Sequence, residues 1–181
     1  GFILSQLHGK TRIMELSLFR YVPFAAAIAV SLVYGLANFS AVYLYPIFGQ
    51  LVQEYTPSAA GFLILPGAMF AVLILPFTGQ FADKVPVQFG IAIGISLFGV
   101  SNIILASSDI STMFWVGAAL IVMGRIGLAF MTPSMMSASL GTVPPEKLGE
   151  ASAIVNFMML FGGAIGINAL VVLLDLSLIH I

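Results

Sequence analysis

The chain of 181 residues contains no cysteine, so disulfides and thiolate metal sites are excluded. Charge is nearly as scarce. Asp, Glu, Lys and Arg make up 7% of the residues, against about 25% in soluble domains. Six basic and seven acidic side chains cannot cover the surface of a water-soluble globule of this size. A soluble enzyme, a nucleic-acid binder and a disordered chain are therefore poor readings. What the chain has in abundance is apolar surface: 60% of its residues are hydrophobic, and the mean hydropathy is +1.13. Such a chain belongs in a bilayer.

A spanning helix needs about 20 predominantly apolar residues. Five stretches meet this, at about 22–44, 58–80, 89–106, 112–134 and 149–174. Pro23 sits where a first-turn proline is tolerated, and Thr56 followed by Pro57 reads as an N-cap and first helical residue. The runs are continuously apolar, whereas barrel strands alternate over about ten residues. The expected fold is therefore all-α, a polytopic membrane helix bundle. Residues 1–21 carry Gln6, His8, Lys10, Arg12, Glu15 and Arg20 and read as a lead-in loop ending in an interfacial segment. The chain opens on Gly1 and stops within Asp175–Ile181 without a capping signal, so the expectation is a fragment with a truncated, non-native tail at 175–181.

Lys10, Arg12 and Arg20 precede the first span, Lys84 lies between the second and third, and Lys147 lies between the fourth and fifth. Five alternating spans put all of these cations on one side, which the positive-inside rule makes cytoplasmic. The lead-in 1–21 is then cytoplasmic, and the chain is a multi-pass plasma membrane protein.

The connection Gly79-Gln-Phe-Ala-Asp-Lys-Val-Pro-Val-Gln88 resembles the loop signature G-x-L-A-D-R-x-G-x-R of the major facilitator superfamily. Gly79, Ala82, Asp83 and Lys84 match; Phe81, Pro86 and Gln88 depart from it. Leu16-Ser-Leu-Phe-Arg20, Tyr55–Gly61 with Leu65-Pro-Gly67, Val143–Ser152, and Asn156-Phe157 followed by Gly162-Gly-Ala-Ile-Gly166 are similar to fourteen-span drug:proton antiporters of the EmrB/QacA type. The resemblance covers about residues 14–174. It implies five of the six helices of a C-terminal half-bundle in a bacterial inner membrane, with the N-terminal bundle elsewhere in the same protein. That group often carries an Arg-Gln pair where this chain has Met159 and Leu160, so no role of that pair carries over.

The resemblance makes Gly79, Asp83 and Lys84 a conformational latch, in which Asp83 meets a helix N-terminus; the plainer alternative is a solvated turn acid beside Lys84. Arg125 is the one ionisable residue well inside a span. It faces a pathway or a partner, or it snorkels to the interface along its stem. Tyr34 and Asn38, with Ser31 and Tyr45, recur at helical spacing on one face of the first span, and Ser152 and Asn156 do so on the fifth. Both faces are candidate pathway walls, or else sites of interhelical hydrogen bonding. Gly162, Gly163 and Gly166 form a small-residue face suited to helix packing. His8 and His180 stand alone, so no metal or other cofactor is expected.

The functional expectation is a secondary transporter, a proton-coupled exporter of drugs or amphiphilic small molecules. Its partners are then lipid, substrate, protons and the N-terminal bundle, with no nucleic acid. A metabolite uptake carrier is the alternative within the same superfamily. An embedded enzyme is disfavoured because the spans offer one arginine and no acid, and the loop signature argues against a non-transport scaffold.

Overall fold

The computed structural model describes residues 22–108 and 113–179. The lead-in loop with its Leu16–Arg20 match, Asp109 and His180 lie outside the described residues. Five helices follow in order: α1 (Val22–Leu51), α2 (Pro57–Lys84), α3 (Val87–Ala106), α4 (Phe114–Leu140) and α5 (Leu148–Ile179), the last entered through a 3₁₀ turn at Pro145–Lys147. All five are long and apolar enough to cross a membrane.

Most helices overrun the apolar stretches that define them. The 30 residues of α1 rise about 45 Å at ~1.5 Å per residue, against a hydrocarbon core of about 30 Å. Bilayer thickness limits the apolar run, but nothing ends the helix at the interface. The chain therefore stays helical through Pro46, Gly49 and Gln50. Similarly α4 passes through Pro133 to Leu140. Proline removes a backbone donor from the ladder, and on either side of it Thr132 donates to the Leu128 carbonyl at 2.9 Å and Ser134 to that of Phe130 at 3.0 Å. At the start of α2, Thr56 caps the helix by accepting from the Ala59 amide at 3.3 Å, with Pro57 in the first turn.

Helix α4 is the hub. It packs along α3 on one side and α2 on another and crosses α1, while α5 packs chiefly on α1. Missing side chains set the closest approaches. A β-carbon added at Gly94 would lie 2.7 Å from the Gly127 carbonyl oxygen, and one at Gly127 would lie 2.7 Å from that of Gly94. Between α1 and α5, a β-carbon at Gly35 would strike the Met159 carbonyl, and one at Gly162 the Leu32 carbonyl. Gly163 faces the Phe39 ring, and Gly166 faces Ser40 and Leu36.

Two buried apolar clusters lie one above the other along the bundle. One gathers Phe24, Ile28, Leu128, Met131, Met135, Ile154 and Val155. The other gathers Ala41, Tyr45, Leu63, Leu105, Ala118 and Ile121. On α1 the buried positions skip from Tyr34 and Gly35 to Ala41. Asn38 of α1 falls in that gap, and Arg125 of α4 lies between Ile121 of one cluster and Leu128 of the other. The outer face of α2, by contrast, exposes Phe62, Met69, Phe70, Leu73 and Phe77.

Candidate functional site: a polar cleft between α1, α2 and α4

Helical spacing sets the cluster on both sides. Tyr34 and Asn38 are four residues apart on α1, and Arg125, Leu128, Ala129 and Thr132 follow one face of α4. The two helices run antiparallel, so Asn38 meets Arg125 and Tyr34 meets Thr132. The Arg125 Nη1 donates to Asn38 Oδ1 at 2.9 Å, and the hydroxyls of Tyr34 and Thr132 are hydrogen-bonded at 2.9 Å. Ala71, Val72 and Leu75 of α2 supply an apolar third wall, enclosing a cleft of about 250 Å³. Gly67 makes room for the arginine: a β-carbon there would lie 3.0 Å from Arg125 Cγ.

Arg125 is placed deep in the bundle. It is the twelfth residue of α4, about 16 Å along the axis from its first at ~1.5 Å per residue. A charge at such depth costs ~2.5–3.5 kcal/mol on insertion scales, so it needs a partner or a polar cavity. Among the described residues no carboxylate pairs with it. A guanidinium has five N–H donors, and one of them is matched, by a neutral amide oxygen. Its Nε is buried without a hydrogen bond. The bond to Asn38 directs the side chain across to α1.

A family profile described as Major Facilitator Superfamily matches residues 5–167 of this chain. The chain belongs to the major facilitator superfamily. With its five apolar helices, this facilitator chain is a multi-pass membrane protein, and its superfamily is one of transporters rather than a class of enzymes. It is 27% identical over 169 residues to the multidrug resistance protein Stp of Mycobacterium tuberculosis, covering 93% of this chain and 31% of that protein. It is 25% identical over 168 residues to the multidrug export protein EmrB of Haemophilus influenzae, covering 92% and 33%. With the lincomycin resistance protein LmrB of Listeria monocytogenes it shares 24% over 165 residues, covering 91% and 35%. The facilitator chain thus spans about a third of the length of the curated relatives it matches.

Tyr34, Asn38 and Arg125 come together in the cleft; Asn156 does not join them. It is exposed on α5, and its amide donates to the Ser152 carbonyl of its own helix at 3.0 Å. The loop residues also stand apart from the cleft. Asp83 and Lys84 end α2 and are exposed, and Asp83 has no hydrogen bond or ion pair among the described residues. Nothing lies within 4 Å of a β-carbon built on Gly79. Where the loop signature has leucine, Phe81 packs edge-on against Phe130 at 5.3 Å between ring centroids.

Three polar residues were not anticipated from the sequence. Thr132 completes the cleft, and its position seven residues after Arg125 was the available signal. Asn102 of α3 accepts from the Tyr45 hydroxyl at 3.3 Å. Tyr45, 2% exposed, is a core residue. Gln53 is 6% exposed, and neither polar atom of its amide has a partner among the described residues. No periodicity marks it, because it lies in the turn between α1 and α2.

Proposed function

We propose that this chain supplies a half-bundle of a secondary active transporter in the bacterial inner membrane, exporting drugs or other amphiphilic small molecules in exchange for protons. The observation that carries this reading is the polar cleft of Tyr34, Asn38, Arg125 and Thr132, which opens between two apolar clusters at mid-bundle. A substrate site near the bilayer midplane, around which two bundles rock, is the working geometry of such carriers. The names of the relatives, a multidrug export protein and two resistance proteins, support export over uptake.

On this reading an N-terminal bundle of the same protein provides the opposite wall. It also provides the coupling acid, because the described carboxylates, Glu54, Asp83, Glu146, Glu150 and Asp175, sit within about one turn of a helix end or outside the helices, and arginine does not exchange its proton. Asp83, exposed at the end of α2, is available to meet a helix N-terminus of that bundle. Such a contact is worth ~0.3–1 kcal/mol, or up to ~2 when partly buried. That is enough to bias two conformations a few kcal/mol apart.

The test is the full-length protein in liposomes with an imposed pH gradient. Export predicts flux of an amphiphilic fluorescent dye that collapses when the gradient is dissipated. Flux indifferent to the gradient removes proton coupling, and gradient-driven accumulation in the opposite sense favours uptake. Orientation is read in the same protein, which lends itself to cysteine labelling across this chain. Val52→Cys, at a site 37% exposed, should react only from outside, and Gln88→Cys only from the cytoplasm. Reaction of both from one side breaks the proposed topology.

A further inference from the structure

We propose that the cleft is a receptor for an oxyanion, a carboxylate or sulfonate, brought either by the headgroup of an amphiphilic ligand or by another segment of the transporter. Beside the paired hydroxyls of Tyr34 and Thr132, Arg125 and Asn38 bring unmatched donors to the cleft. Arg125 has four N–H groups unmatched among the described residues, its Nε among them and buried. Asn38 spends its oxygen on Arg125 and so turns its amide NH₂ outward from that bond. Among the described residues no Asp or Glu lines the cleft. A cationic headgroup would therefore meet a bare guanidinium, whereas an oxyanion finds the planar fork that holds carboxylate and sulfonate oxygens in pairs.

Size narrows the ligand further. Sites that enclose a drug-sized molecule run to about 300–1,000 Å³, and this cleft holds about 250 Å³. It takes a headgroup and a short apolar stem lying on Ala71, Val72 and Leu75. The bulk of such a ligand lies outside it. The inference builds on the transport reading for the ligand's route, but the charge logic holds whether or not anything is transported.

The experiment uses the full-length protein in lipid nanodiscs, with empty nanodiscs subtracted. The probes are 8-anilinonaphthalene-1-sulfonate and its neutral counterpart N-phenyl-1-naphthylamine, which share one ring skeleton and differ by the sulfonate. If a ligand brings the oxyanion, wild-type protein binds the sulfonate about tenfold more tightly than the neutral probe. Arg125→Gln then closes that gap, chiefly by weakening sulfonate binding. Arg125→Lys keeps the charge but loses the fork, so it narrows the gap, and it replaces the Gln variant should that one not fold.

If the transporter's own carboxylate fills the cleft, the two probes bind alike. Arg125→Gln then leaves that acid unpaired in an apolar setting, where its charged form is disfavoured. Stability is retained at low pH and lost as pH rises, so the melting temperature of the variant falls between about pH 5 and 7 while wild type stays level. Equal probe affinities with parallel pH profiles overturn the proposal, and so does a sulfonate preference that survives Arg125→Gln. Neither readout requires flux: a protein that transports nothing yet keeps an Arg125-dependent gap defeats the export reading and leaves the oxyanion site standing.

Discussion

Helix α4 has two faces that solve opposite problems. Toward α3 it presents Gly124, Gly127 and Ser134, and the backbones close to the point where a β-carbon at Gly127 would lie 2.7 Å from a carbonyl oxygen. Toward α1 and α2 the same helix presents Arg125 and Thr132 and leaves a cleft of about 250 Å³. In lipid there is little hydrophobic gain in bringing helices together, so association rests on close packing and interhelical hydrogen bonds. The glycine seam supplies the packing. It holds α4 against α3 while the polar face stays free of the packing role. An arginine in mid-span is tolerable because rigidity is provided by the opposite side of its own helix.

The largest expected effect breaks the glycine seam. Gly127→Leu drives a side chain into Gly94, Leu97 and Phe98 of α3 and should cost about 3 kcal/mol or more. That corresponds to a melting temperature about 6–12 °C lower, read by thermal unfolding in nanodiscs, with loss of monodisperse protein as the extreme outcome. Wild-type unfolding would mean that α3 and α4 are not held in this way.

The cleft face should respond in the opposite manner. Arg125→Ala should lower drug efflux, normalised to expression, at least about tenfold, equivalent to ~1.4 kcal/mol. Where no carboxylate of the transporter fills the cleft, the melting temperature should hold level or rise, because an uncompensated charge leaves the span. Normal efflux would reduce Arg125 to a tolerated passenger and erase the contrast between the faces.

A smaller effect separates packing from hydrogen bonding within the cleft. Tyr34→Phe and Thr132→Val each remove one partner of the 2.9 Å bond and should each cost ~0.6 kcal/mol. The double variant should cost little more than either, which a double-mutant cycle on unfolding would reveal. Additive losses would show that the two hydroxyls do not act as a pair. The smallest effect is at Asn156→Ala. That side chain is exposed and bonded to its own helix, so stability should stay within about 0.5 kcal/mol. A large loss of efflux in this variant would move the pathway wall from α4 toward α5.

The helices were legible because span length and apolarity are local properties, imposed by the bilayer on each segment separately. Their ends were less so: α4 runs on through Pro133 to Leu140, about two turns past Ser134. The face of Tyr34 and Asn38 was visible in the spacing of α1, and Arg125 in its isolation among apolar residues. Tyr45 belongs to the same stripe of α1 yet turns to Asn102 of α3 rather than to the cleft. Asn156 has the same polarity and spacing as the cleft residues and lies elsewhere.

Composition and periodicity were therefore enough for a bundle of spanning helices and, among the described residues, for the lone cation well inside a span. Each is a property of one segment facing one solvent. Which polar faces converge depends on which helices touch. In a bilayer that is decided by how glycines and other small residues allow backbones to approach, at positions distant in sequence. Gly94 with Gly127 sets α4 on α3, and Gly35 with Met159 sets α5 on α1. Those two seams aim Arg125 at Asn38 and leave Asn156 outside, an outcome that spacing along any single helix does not contain.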